Sequence, residues 1–141
     1  MYDPEHPEQS GFLFSDDDRL TAEDLDRVDR TPKFVFANAC ESGVLPSRPD
    51  LCSPELPATF AEAFFKKGVA NFICTAWPIG DIPLRDFAVE LYTNLIGLGV
   101  PESPIYESLR RARQKIAHTQ TWGAYQHYGN PYFRLFRSTS T

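Results

Sequence analysis

Apolar positions recur along this chain with two different periods, and the places where one period gives way to the other divide it into elements. Gly11–Phe14 is a short strand-like run, followed by an Asp-rich turn over Ser15–Arg19. Thr21 followed by Asp24 has the spacing of a capping box, with Thr21 as N-cap of a short helix to about Arg27. Phe34–Asn38 is a compact run of aromatic, β-branched and small residues and reads as a buried strand. Phe60, Ala61, Phe64 and Phe65 form one stripe of a helix over Pro57–Lys67, with Pro57 in the first turn and Lys66-Lys67-Gly68 as its ending. Val69–Ala76 is a second buried strand, broken by Trp77–Asp81.

The clearest helix is Ile82–Leu98. Leu84, Phe87, Ala88, Leu91, Tyr92, Leu95 and Ile96 recur at spacings of three and four, and Gly97 and Gly99 end it. A further helix over Pro104–His118, with Ser103 as its cap, carries Ile105, Leu109, Ala112 and Ile116 on one face and Arg and Lys on the other. Trp122–Tyr128 is a last strand, turned by Gly129–Pro131 and extended by Tyr132–Phe136. Strands alternating with helices predict an α/β domain with a largely parallel sheet. Ligands of such sheets bind at the carboxyl ends of the strands. The end of the Phe34 strand, with Cys40 just beyond it, and the Trp77–Asp81 break are therefore expected on one rim.

Composition narrows the function. At 141 residues the chain fits one domain, and 42% hydrophobic residues suffice for a core. A net charge of −5 leaves no basic stripe for nucleic acid. No apolar run reaches membrane-spanning length. Three cysteines without close pairing spacing fit a reduced, cytoplasmic chain, and three scattered histidines give no metal-ligand pattern. No cofactor motif is present. Gly43–Pro57 carries four prolines and reads as a long connection of the kind that often serves function.

Cys40 ends a buried strand and precedes Ser42-Gly43, where the chain must turn. Two readings stand beside each other. A free cysteine is commonly a small buried apolar residue. A cysteine anchored by a sheet and open at its rim, with backbone N–H groups free to face an oxyanion, is placed as a nucleophile. Trp77 likewise reads as a core residue or a pocket wall, and Asp81 as the N-cap of the helix that follows or as a pocket acid.

Three blocks, Phe34–Gly43, Phe60–Ala70 and Ala76–Asp81, resemble the CHAT domain, as do Tyr2–Ser15, Leu20–Leu25, the Leu91–Gly99 helix end, Ser108–Arg113, and Trp122 with Gly129–Pro131. The likeness covers nearly the whole chain. It implies a caspase-like three-layer fold with a mostly parallel sheet and flanking helices, and a cysteine endopeptidase of bacterial-type signalling or defence, with TPR-like repeats upstream as partners. It implies Cys40 as nucleophile and as one backbone oxyanion donor. The histidine of the family's Cys–His dyad lies in a motif ahead of the segment beginning here at Tyr2, so the domain is expected to be N-terminally truncated and inactive as this chain. A non-catalytic protein-binding module is the alternative.

Of the histidines present, His6 sits among acids, His118 ends a helix and His127 alternates within a strand; none is expected to act as the base. In separase, a related peptidase, an aspartate in the corresponding turn receives a basic side chain, which implies a substrate-binding Asp81 beside Trp77. A truncated sheet also implies an exposed parallel edge and self-association through it.

Overall fold

The structure is a computed structural model that describes residues 11–13, 19–21, 23–27, 29–38, 61–62, 64–77 and 79–136. Cys40, Glu41, Cys52, His6 and the Gly43–Pro57 connection lie outside the described residues. A two-stranded antiparallel ribbon joins β1 (Gly11–Leu13) to β2 (Arg19–Thr21). The capping box then forms as its spacing predicts. Asp24 N–H donates to Thr21 Oγ1 at 3.2 Å, and Thr21 N–H donates back to Asp24 Oδ2 at 2.9 Å. It opens a single 3-10 turn over Glu23–Arg27.

The core is built on a sheet in the order β3 (Phe34–Ala37), β4 (Asn71–Thr75), β5 (Tyr125–Gly129). β4 is central and its first four residues are buried, so both its faces are packed. On one face Ile73 packs against the two long helices, α1 (Asp81–Ile96) and α2 (Ile105–Lys115). On the other, Phe72 and Cys74 meet Ala61 and Phe64 of the helical residues that precede Gly68. Helices thus cover both faces of the small sheet.

The sheet is mixed, which corrects the expectation of a mostly parallel one. β3 and β4 are parallel, with Phe34 opposite Asn71 and Ala37 opposite Cys74, but β5 runs antiparallel to β4. The reason is the number of helices between the strands. One crossover helix returns the chain to the amino end of a strand and yields a parallel neighbour. Here α1 runs back from the carboxyl end of β4 and α2 runs forward again. The chain therefore re-enters at the carboxyl end, and Tyr125 pairs with Thr75.

α1 ends where expected. Gly97 is left-handed at φ 71°, and a Cβ there would stand 3.1 Å from both Glu102 N and Val100 O. The start of α2 differs. Ser103 is not its cap; Pro104 is, and it supplies no side-chain bond. Instead Ile105 N–H donates to Phe133 O and Tyr106 N–H to Pro131 O, both at 3.0 Å. The segment expected to prolong the last strand thus satisfies the unpaired N–H groups of a helix start, and Tyr132–Phe136 is not a strand. Arg111 Nη1 donates to Asn94 Oδ1 at 2.8 Å and links the two helices.

Candidate functional site

β3 and β4 end side by side because they are parallel and in register. The chain leaves β3 at Asn38, two residues short of Cys40. It leaves β4 through Ala76 and Trp77 and starts α1 at Asp81. Ile79 is buried in the α1–α2 cluster and anchors this turn from below. Trp77 and Asp81 are thereby held at one end of the sheet, beside the last described residue of the Phe34 strand. Cys40 itself lies outside the described residues.

Asn38 fixes this corner. Its Nδ2 donates to Leu84 O in the first turn of α1 at 3.4 Å, and its Oδ1 accepts from the Tyr125 hydroxyl at 3.2 Å. One amide side chain therefore joins the carboxyl end of β3, the amino end of α1 and the start of β5. An amide has donors and acceptors enough for both bonds, and an apolar residue of that size has neither. Tyr125 is itself buried and stacks on Phe87 of α1, with ring planes within 2° of parallel. The corner is thus backed by a rigid aromatic layer.

Asp81 occupies the first helical position of α1, one residue later than a cap. Gly80 is the N-cap, in an extended conformation, and no side chain caps the helix. The reading of Asp81 as N-cap is corrected. Its carboxylate is exposed at the positive end of the helix dipole, where an anion is stabilised. Among the described residues it has no ion-pair partner; nearby Arg85 is paired with Asp86 at 2.9 Å. Trp77 is 42% exposed and does not pack in the core. Trp77 and Asp81, four positions apart, are thus both exposed in the turn between β4 and α1.

The described histidines lie apart from this corner or lack an orienting partner. His127 Nε2 is 3.2 Å from Asn71 Oδ1, at the amino end of β4 and so at the far end of the sheet. Burial, and then the charge of nearby Arg113, lowers its pKa. His118 is exposed in the turn after α2. Cys74 is buried between β4 and the Phe64 helix, and burial pushes its thiol up to about 12. It is a core residue, not a nucleophile. Among the described residues no three His, Cys, Asp or Glu side chains gather to hold a metal ion, and no helix is long and apolar enough to cross a membrane.

Two contributors to this corner were not singled out from sequence. Asn38 carried a signal, as the one strongly polar residue closing an apolar strand. Tyr125 carried none, since nothing local places it beside β3.

Comparison with known proteins shows the family. The family model of the CHAT domain matches residues 1–133. No curated protein and no solved structure matches the chain.

Proposed function

Because the chain belongs to the CHAT domain family, we propose that it is the cysteine-bearing part of a caspase-like endopeptidase domain, with Cys40 as nucleophile and Asp81 as the acid that receives a basic side chain. The observation that carries this is the corner tied by Asn38. There the end of the strand leading to Cys40 is bonded to the first turn of the helix that presents Asp81. A nucleophile needs such fixed placement relative to the pocket that holds its substrate. Helices on both faces of the sheet support a caspase-like three-layer arrangement.

In the proposed reaction a histidine takes the proton of the Cys40 thiol, and the thiolate so formed attacks the peptide carbonyl. The histidine returns that proton to the leaving amine. Water then attacks the thioester, the histidine takes a proton from it, and the free acid and thiol are restored. The Cys40 backbone N–H contributes to the oxyanion site. The family resemblance calls for a Cys–His dyad, and His127, the described histidine with a side-chain partner, is engaged with Asn71.

A second reading, a non-catalytic module that binds a protein partner at the same rim, is favoured by one observation. His127 is engaged with Asn71 at the other end of the sheet, and His118 has no hydrogen-bond partner among the described residues.

An arginyl chloromethyl ketone separates the two readings in the full-length natural protein. The endopeptidase reading expects one covalent adduct, mapped to Cys40 and absent in Cys40→Ala. Asp81→Asn should slow labelling by the arginyl reagent but not by an alanyl one. A well-folded protein that forms no adduct, or forms it on Cys52, would remove Cys40 from the role.

A further inference from the structure

The chain has two tryptophans, Trp77 and Trp122, and the pairing of β4 with β5 sets Trp77 across from the residue that follows Trp122. Ala76 N–H donates to Ala124 O at 2.8 Å, so the pairing of β4 with β5 runs on past Thr75 and Tyr125. That places Trp77 across from Gly123. A Cβ on Gly123 would stand 3.7 Å from Cη2 and 3.9 Å from Cζ2 of Trp77, so the indole lies against this glycine, one residue from Trp122. A bulky side chain at position 123 would push the ring away.

Neither indole is spent on the core. Trp77 is 42% exposed and Trp122 53%. Tryptophan is highly buried on average, and where it stands at a surface it is the residue type most enriched among binding anchors. The charge of the rim indicates what binds. Asp81 presents an exposed carboxylate with no ion pair among the described residues, and the chain carries a net −5. Exposed indoles at the end of the sheet from which Asp81 starts α1 suit a cation. A guanidinium suits them better than an ammonium, because it is planar, can stack on an indole and is more weakly hydrated.

We infer that Trp77 and Trp122 form a second subsite next to Asp81, which stacks an arginine side chain of an extended basic peptide. The inference rests on the reading of this rim as a peptide-binding cleft. It adds a specificity that Asp81 alone does not supply: a requirement for a second cation in the bound segment.

Because these are the chain's two tryptophans, their emission reports on this rim alone. Cys40→Ala protein is titrated with a capped peptide bearing two arginines, and in parallel with the same peptide carrying citrulline in their place. The arginine peptide should shift the emission and reduce quenching by acrylamide, and the citrulline peptide should do neither. Trp122→Leu should bind the arginine peptide about two- to fivefold more weakly by calorimetry. Its thermal melt should match the parent, since this side chain is exposed; Trp122→Phe, which keeps a smaller ring, should fall between.

Unchanged emission and quenching with the arginine peptide, an equal response to citrulline, or undiminished binding by Trp122→Leu would each overturn the subsite. The peptidase reading fails separately. An emission shift without cleavage by the full-length natural protein removes the peptidase and leaves the subsite. Cleavage without the shift removes the subsite and leaves the peptidase.

Discussion

The Tyr125 hydroxyl donates a hydrogen bond to Asn38 Oδ1 at 3.2 Å, across 87 positions of sequence. Asn38 passes the connection on to Leu84 O in α1. The bond spans β4, since β3 and β5 flank it, and it closes the end of the sheet on which the proposed chemistry depends. Tyr125→Phe keeps the ring that stacks on Phe87 and removes only the hydroxyl. It should cost about 1–2 kcal/mol of stability, because the Asn38 carbonyl loses its partner in a half-buried place. Urea unfolding of Tyr125→Phe, Asn38→Ala and the double variant checks this. A coupling energy of about 0.5–3 kcal/mol is expected for directly bonded residues, and additivity would contradict the bond.

Gly129 ends β5 at φ +133°, opposite Asn71. A Cβ there would stand 2.5 Å from Ala70 O and 2.6 Å from Asn71 Oδ1. Gly129→Ala should therefore destabilise the fold by more than about 1 kcal/mol, and it should disturb the Asn71–His127 bond. A urea midpoint equal to the parent's would show that this end of the sheet yields more easily than its packing indicates.

Much of the fold was legible because it is local. The run Phe34–Ala37 and the three- and four-residue spacing of Phe87, Leu91 and Leu95 each determine an element without help from the rest of the chain. Thr21 and Asp24 are close enough in sequence to form their bonds within one turn. What was not legible depends on distant parts. The direction of β5 follows from two helices returning the chain, not from its own residues. The caps of α2 are the carbonyls of Pro131 and Phe133, which no local pattern at Ser103 reveals. Trp77 read equally well as core or rim, because apolarity alone does not tell which indole finds a glycine to lie against. Asn38 had the clearest overlooked signal, and its two partners are 46 and 87 positions away.

His127 gives a pH dependence with a definite sign. Burial, and then Arg113, lower its pKa in the folded protein from an ordinary value of 6.5. Below that value the unfolded chain binds a proton that the folded one resists, so stability is full above about pH 6.5 and falls as the pH drops through the window beneath it. The urea midpoint should decline on going from neutral pH towards pH 5, and His127→Gln should flatten that decline. A midpoint that rises on acidification would reverse the assignment.

Cys74 should be chemically silent. A buried thiol raised to about 12 has almost no thiolate at mild alkaline pH. Brief treatment of native protein with iodoacetamide, followed by peptide mapping, should leave Cys74 unmodified, and the same treatment in urea should modify it. Early native labelling of Cys74 would mean that the contact of β4 with the Phe64 helix opens readily.

The central claim is that this rim cleaves peptides after a basic residue, with Cys40 attacking and Asp81 selecting. The most direct test is peptide cleavage by the full-length natural protein. Matched substrates end in Arg, Lys or Asp before the scissile bond, and Cys40→Ala and Asp81→Asn serve as variants. The account predicts cleavage after Arg and Lys, none in Cys40→Ala, and a loss in Asp81→Asn of about 1.5–3 kcal/mol in transition-state binding, the range for a hydrogen bond to a charged group. Cleavage after Asp, or equal rates with and without the Asp81 carboxylate, would contradict the selection. Full activity of Cys40→Ala would contradict the mechanism.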